Sequence, residues 1–189
     1  MIRNRNDYKY YLERDRIALK RKKGKVLKDP IWKYQILLRK SEFFNNCGPR
    51  FFRVLASISK RRMYVLGRKC GGISIPINCF GPGLSIAHYG SIVVNQSAVV
   101  GKNCRIHEGV TIGASGKDGK AATIGDNCFI GTGAKVIGNI LIGNGIAIGA
   151  NAVVTRDFVE DNITIAGIPA KKISDNSSKD LLADGVFDE

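Results

Sequence analysis

The sequence lacks the features that would predict a membrane span, an exported protein or a metal site. No uninterrupted apolar run in its 189 residues reaches the roughly 18–20 residues of a membrane-spanning helix. The N-terminus is polar from its first residues and predicts no secretory signal. Five scattered cysteines without a CxxC pair argue against both a disulfide framework and a zinc site. We therefore expect a cytoplasmic protein that holds no metal.

Acidic residues are scarce in the first third of the chain. Residues 1–69 carry a formal net charge of +16, whereas the remainder carries −2. Such a block could attract nucleic acid, an anionic membrane or a polyanionic substrate, although helices with solvated faces have the same composition. It contains no helix-turn-helix, RNA-recognition or zinc-finger pattern. We expect no nucleic-acid partner and leave open a peripheral contact with an anionic membrane.

The basic block, residues 1–70, predicts a short α-helical region. The helix signals are capping side chains, an initiating proline, apolar residues at helical spacing and glycine stops. They predict helices from Asn6 through Arg16–Lys23 to a stop at Gly24, from Asp29-Pro30 to Gly48-Pro49, and from about Phe51 to Gly67, the last with Leu55 and Ile58 on one face.

From about Gly72 a period of six replaces the helical pattern. Aliphatic residues fall at every sixth position: Ile124, Ile130, Val136, Ile142, Ile148 and Val154, and in the same phase Val94, Val100, Ile106 and Ile112. Glycine follows four of the first six, where it would let the chain round a tight corner. The stretch Gly113–Thr123 interrupts the phase. This period fits neither an amphipathic helix nor an ordinary strand, and it predicts a solenoid with one inward aliphatic residue per short strand.

Four segments carry a resemblance to a known family: Gly83–His88, Gly109–Gly113, Ile130–Lys135 and Ala166–Lys171. With them, the run from Ser74 to Ile173 resembles the bacterial serine acetyltransferases and the related polysaccharide O-acetyltransferases. The resemblance implies a mainly β fold, a left-handed parallel β-helix of hexapeptide repeats over residues 71–173. From the sequence itself we expect residues 174–189 to form an acidic C-terminal tail. The resemblance also implies acetyl-CoA as acetyl donor and a homotrimer with active sites between subunits.

Imidazole chemistry is restricted to His88 and His107. Acetyl transfer to a hydroxyl needs a base with a pKa near neutrality, and His88 aligns with the catalytic histidine of the family. The alternative is an inward slot, since His88 is in phase with Val94 and Val100. His107 lies about one coil further and could contact the acceptor, as could Glu108 and Tyr89. A corner position for His107 and a packing role for Tyr89 are the alternatives.

The resemblance also assigns the donor side of the site. The loop after Gly113 would line the thioester, with the Ala114 amide as oxyanion donor. Gly131 and Thr132 would pack along the pantetheine arm. Gly167 would lie in the terminal coil motif, with Lys171 or Lys172 near the 3′-phosphate of CoA. A C-terminal cap with solvated lysines is the alternative for this last segment.

Departures from the serine acetyltransferase pattern bear on the acceptor. The aspartate that pairs with the family's histidine maps to Ile73, its preceding acid to Ala87, and its Arg-His pair to about Lys120 and Ala121. A serine zwitterion needs partners for its carboxylate and its ammonium. We therefore expect a hydroxyl of a surface-polysaccharide sugar as acceptor, with serine, as in cysteine biosynthesis, as the alternative.

Three further readings stay open to different degrees. N-acetyl transfer to an amino sugar would use the same base and oxyanion donors. A non-catalytic solenoid could bind anionic partners through the basic block. A zinc carbonic anhydrase on the same fold needs three histidine ligands, and the chain has two histidines.

Overall fold

The computed structural model describes residues 1–22, 29–116 and 118–188. In these residues three helices come first: α1 (Arg5–Ala18), α2 (Pro30–Asn46) and α3 (Phe52–Lys69). The predicted start of α2 is confirmed, because Asp29 caps it by accepting from the Trp32 amide at 3.1 Å and Pro30 occupies the first turn. The third helix runs two residues beyond the expected end at Gly67.

The predicted ends of the first helix are wrong. The cap is Asn4, whose Oδ1 accepts from the amides of Asn6 and Asp7 at 2.8 and 2.9 Å. A run of polar residues at this end offers more than one capping side chain, so the spacing alone did not choose between them. The helix ends at Ala18, and Lys20 follows in a left-handed conformation with φ of 53°. The expected stop, Lys23-Gly24, lies outside the described residues.

Short strands follow and form three sheets. They are β1 (Ile73–Ser74), β2 (Ser85–Ile86), β3 (Ile92–Val94), β4 (Val99–Val100), β5 (Arg105–Ile106), β6 (Thr111–Gly113), β7 (Thr123–Ile124), β8 (Phe129–Ile130), β9 (Lys135–Ile137), β10 (Leu141–Ile142), β11 (Ala147–Ile148), β12 (Val153–Val154), β13 (Thr164–Gly167) and β14 (Ala170–Ser174). The first face contains β1-β3-β6-β9-β12, the second β4-β7-β10, and the third β2-β5-β8-β11-β13-β14. All pairs are parallel except β13 with β14. The expected left-handed parallel β-helix is confirmed.

The period-six residues form the core of this solenoid. The ten predicted inward positions, such as Ile130 and Val136, are each at most 5% exposed. The glycines after them have a different cause from the expected one. A Cβ on Gly131 would lie 2.9 Å from backbone atoms of the next coil, so lack of space excludes a side chain there. Left-handed backbone occurs two residues later, at Gly133, where φ is 73°.

Buried polar side chains join the helices to the first coil. Arg39 is fully buried between Asp15 and Glu42, with nitrogen–oxygen distances of 2.8 and 3.0 Å. Five side chains of the helices bond to backbone groups of residues 75–86, which have no preceding coil to pair with. Four of them accept from amides: Asp15 from Gly83 and Leu84, Tyr34 from Ile75, Gln35 from Ile86, and Glu42 from Asn78. Arg39 donates to the carbonyls of Phe80 and Gly81, and Gln35 donates to that of Leu84. The helical layer thus replaces the missing coil at this end of the solenoid.

Two 3-10 turns, Lys179–Leu181 and Asp184–Val186, lie in the C-terminal segment. Val186 is buried in a small apolar cluster with Ala18 of α1, and the Arg14 guanidinium donates to the carbonyl of Asp188 at 2.8 Å. The segment expected to be an acidic tail therefore packs back on the first helix. Among the described residues, none of the helices is both long and apolar enough to span a bilayer.

Candidate active site

One corner of the solenoid collects the residues predicted to carry the chemistry. Strands β2, β5 and β8 are neighbours on the third face, with Ile86 opposite Ile106 and Ile106 opposite Ile130. The residues just after these strands therefore lie side by side. We call this turn between the third and first faces, residues 87–91, 107–110 and 131–134, the His88 corner.

His88 is outside the core because the repeat lengthens at this corner. Ile86 and Val94 are both inward, yet eight positions separate them where the repeat has six. The two additional residues shift the phase, so the inward slot opposite Ile106 is taken by the fully buried Ile86 and not by His88. The His88 side chain is exposed. The inward alternative for His88 is therefore excluded.

The two histidines are adjacent. Their ring centroids lie 5.2 Å apart in an edge-to-face arrangement, and the His107 ring also meets the Phe129 ring at 4.9 Å. Burial lowers the pKa of His107 below its ordinary value, and the charges of Arg105 and His88 lower it further. A neutral His107 at pH 7 imposes no positive charge on His88.

Glu108 supplies the negative charge at this corner. Its Oε1 accepts a hydrogen bond from the Thr132 hydroxyl at 3.0 Å, while its buried Oε2 has no partner among the described residues. Hydrogen bonding to its own backbone amide and to Thr132, together with the two histidines, lowers the pKa of the carboxyl. Ligand atoms of His88, His107 and Glu108 all lie within 4.8 Å of one another. An ionised carboxylate therefore lies within 4.8 Å of a ring nitrogen of His88.

A cleft beside His88 contains charged residues that sequence reasoning missed. It has a volume of about 370 Å³, and its walls include Arg21 and Asp29 of the helical region together with Ala87, His88 and Tyr89. Arg21 Nε lies 2.5 Å from Asp29 Oδ2, and their side chains are 43% and 20% exposed. The only sequence signal was Asp29-Pro30, which also marks the start of α2.

Two sets of positions that the resemblance aligned with acidic or acceptor-binding groups of the family do not lie at the His88 corner. Ile73 is a buried residue of β1 paired with Ile92, so it contributes packing and no carboxylate. Lys120 and Ala121 lie in the interrupting loop near Ser97, whose hydroxyl accepts from the Ala121 amide at 2.9 Å. That loop leaves the far end of β6, between the first and second faces. These residues are therefore not brought to His88 within one chain.

The predicted donor-side residues are distributed over three places. Gly113 ends β6, so it and Ala114 are separated from the His88 corner by a three-residue strand, about 10 Å. Gly131 and Thr132 follow β8, and the Thr132 hydroxyl is 3.4 Å from His107 Nδ1 besides its bond to Glu108. Within one chain, then, the proposed base and the proposed oxyanion donor lie at different corners.

The third place is the terminal hairpin of β13 and β14, where Gly167 pairs with Ala170. Lys171 is exposed. The Lys172 ammonium instead contacts carboxylate oxygens of Glu160 at 2.6 Å and Asp175 at 2.5 Å, and these hydrogen bonds, Asp175 first, raise its pKa. The two lysines are therefore not equivalent, since one already has anionic partners.

Known proteins match this chain in its repeats and in its fold. Residues 121–156 match the family of bacterial transferase hexapeptide (six repeats). A serine acetyltransferase from Synechococcus elongatus is 41% identical over 111 residues, 57% of this chain and 45% of the relative. A serine acetyltransferase from Bacillus pumilus is 36% identical over 137 residues, 67% of this chain and 63% of the relative. The chain thus spans less than two-thirds of either relative.

Solved structures of serine acetyltransferases share the fold of this chain. Serine acetyltransferase from Brucella abortus strain S19 superposes with a TM-score of 0.70 at 27% identity, covering 92% of this chain and 71% of that chain. The same protein solved with coenzyme A gives a TM-score of 0.66 at 25% identity, covering 92% and 70%. The expected resemblance to hexapeptide-repeat, serine acetyltransferase-like proteins is confirmed.

Proposed function

We propose, starting from a hexapeptide-repeat chain that is serine acetyltransferase-like, that this protein is an acetyl-CoA-dependent O-acetyltransferase that uses serine as acceptor. One observation carries the choice of acceptor: the cleft that holds His88 also holds the Arg21–Asp29 ion pair. The sequence favoured a sugar because it offered no partner for a carboxylate or an ammonium. The helical region offers both, and the similar proteins are named serine acetyltransferases.

The cleft suits a zwitterion with a hydroxyl. The Arg21 guanidinium can donate two hydrogen bonds to the serine carboxylate in a bidentate fork, and Asp29 can accept from the ammonium. Because the two side chains are paired in the free protein, a zwitterion exchanges one ion pair for two without leaving a charge unpaired. A neutral sugar would make no comparable use of either group.

His88 would then act as the base. Its imidazole takes the proton of the serine hydroxyl as the oxygen attacks the thioester carbonyl carbon. Glu108, ionised and beside the ring, stabilises the imidazolium that forms. Collapse of the tetrahedral intermediate breaks the carbon–sulfur bond, and His88 returns the proton to the departing CoA thiolate. The products are O-acetylserine and CoA, and no proton is gained or lost overall.

The oxyanion donor would come from a neighbouring subunit. Ala114 lies the length of a three-residue strand from the His88 corner of its own chain, so a threefold assembly that packs one corner against the next would bring the two together. Coenzyme A would lie in this groove between subunits, and the similar Brucella abortus protein has been solved in complex with coenzyme A. Lys171, exposed and without the acidic partners of Lys172, is then the better contact for the 3′-phosphate. A cytoplasmic location belongs to the same proposal.

Release of CoA from acetyl-CoA tests the proposal, with L-serine, free sugars, nucleotide sugars and amino sugars compared and the product identified by mass spectrometry. We expect L-serine to be the best acceptor. His88→Ala should lower kcat by about 10²–10⁴-fold, as loss of a general base does, whereas His107→Ala should act mainly on the acceptor's KM. Preference for a sugar would reinstate the expectation from sequence, and no CoA release with any acceptor would favour a binding solenoid.

A further inference from the structure

Helix α3 exposes several large apolar residues to solvent, although Met63 and Leu66 pack against the core. Its buried residues are Ala56, Ser59 and Gly67. The Ser59 hydroxyl meets that of Ser41 on α2 at 2.9 Å, and a Cβ on Gly67 would lie 2.3 Å from the carbonyl oxygen of Ile73. The outward residues are between 38% and 64% exposed: Phe51, Val54, Leu55, Ile58, Tyr64 and Val65. A surface helix of a globular protein usually has polar residues on its outward face, so this exposed apolar stripe is unusual.

The same face is strongly basic. Exposed basic residues lie among and beside the apolar ones: Arg50, Arg53, Arg61, Arg62, Arg68 and Lys69. The sequence contains no acidic residue between Glu42 and Glu108. A shallow groove of about 460 Å³ lies along the helix, and its walls combine Ile58 and Val65 with Arg61, Arg62 and Lys69. The outward face of α3 therefore joins exposed apolar area to positive charge, with no acidic residue in the surrounding sequence.

We propose that the outward face of α3 docks on an anionic phospholipid membrane, with the helix lying in the plane of the interface. A helix with an apolar stripe, aromatic residues and flanking lysines and arginines is the form that binds such surfaces: the stripe enters the headgroup region while the cations meet lipid phosphates. This inference goes beyond acetyl transfer and does not depend on it.

Charge distinguishes the membrane from other occupants. A second copy of this face would oppose its cations with an identical set, which disfavours association. A nucleic acid would satisfy the cations but leave the apolar stripe in water. The helical layer sits at one end of the solenoid, and a homotrimer would carry three α3 faces. Where these faces meet one bilayer together, three weak contacts would bind it with high avidity.

Vesicle co-sedimentation of the full chain tests the proposal, using phosphatidylcholine with and without phosphatidylglycerol. We expect binding only to the anionic vesicles and its loss at high salt. Arg61→Gln/Arg62→Gln should weaken binding about 25-fold, from roughly 1 kcal/mol per cation. Arg5→Gln/Lys9→Gln removes the same charge from exposed positions of α1 and should have a much smaller effect. Val54→Ser/Ile58→Ser/Val65→Ser should weaken it by at least about tenfold.

Three results would overturn the proposal. Equal binding to both vesicle types would remove the role of charge. Equal loss in the α1 and α3 charge variants would mean that only net charge matters. A smaller assembly of the serine variant in lipid-free solution, measured by light scattering, would show that a second copy covers the face. CoA release measured in the same samples reports acetyl transfer separately, so failure of one proposal leaves the other standing.

Discussion

Arg21→Ala is the perturbation that most directly tests how the acceptor is bound. In the proposed complex Arg21 meets only the serine carboxylate, so its removal should matter for acceptors that carry this group. A charge-assisted hydrogen bond contributes about 1.5–3 kcal/mol when desolvated. Because the Arg21 side chain is 43% exposed, solvent screening reduces that figure to about 1.4 kcal/mol. This corresponds to a tenfold loss in kcat/KM for L-serine.

The assay compares three acceptors by the rate of CoA release: L-serine, ethanolamine, which lacks the carboxylate, and 3-hydroxypropanoate, which lacks the ammonium. Arg21→Ala should lower kcat/KM for L-serine and 3-hydroxypropanoate about tenfold and leave ethanolamine within about twofold. Asp29→Asn should lower kcat/KM for L-serine and ethanolamine, which carry an ammonium, and leave 3-hydroxypropanoate unchanged. Asparagine keeps the hydrogen bond that caps α2, so this variant removes charge without removing the cap.

Arg5→Ala is the matched control, because Arg5 is an exposed arginine of α1 that does not line the cleft. It should leave all three acceptors unchanged. The reasoning fails if Arg21→Ala slows ethanolamine as much as serine, because the arginine would then act on the fold or the base. It also fails if serine turnover is unaffected, which would mean that another group binds the carboxylate.

Three further outcomes follow from the same geometry. Because burial lowers the pKa of His107 below its ordinary 6.5, the folded state binds fewer protons than the unfolded chain, and the free energy of unfolding should fall as pH drops from about 7 through the lowered pKa. Urea denaturation of His107→Asn should show a shallower fall, and identical pH profiles would contradict this. Lys171→Ala should reduce the preference for CoA over 3′-dephospho-CoA by about tenfold, whereas Lys172→Ala should change it little, as binding measurements can check. Sedimentation should give a homotrimer, since a site split between two corners is incomplete in one chain; a stable, active monomer would refute it.

The sequence predicted the solenoid well because its signal is strictly local. Every coil needs an aliphatic residue that points inward and a glycine where the next coil lies close. The inward positions from Ile124 to Val154 can therefore be predicted without knowledge of contacts distant in sequence. The glycines were recognised for the wrong reason. Both lack of space, as at Gly131, and left-handed backbone, as at Gly133, select glycine, so the sequence does not distinguish the two causes.

The site was predicted less completely because it depends on contacts distant in sequence. For His88 the periodicity left an inward slot open as the alternative to catalysis, and only the lengthened turn after Ile86 excludes it. Arg21 and Asp29 are about sixty positions before His88 and belong to a region with a different period, so no spacing rule connects them. Glu108 was found because it follows His107 directly, although its pairing with Thr132 appears only in the packed coils.

The buried polar side chains of the helical layer also prevent the solenoid from being extended by further strands. An open end of a parallel β-helix is a row of free amides and carbonyls, the same edge on which fibrils grow by adding strands. Asp15, Gln35 and Glu42 of the helical layer occupy this edge at irregular positions, so an incoming strand finds no ladder of free amides and carbonyls to continue. The antiparallel β14 covers the edge of β13 at the opposite end. The number of coils is thereby fixed, and a fold built from a repeat is kept from becoming a polymer.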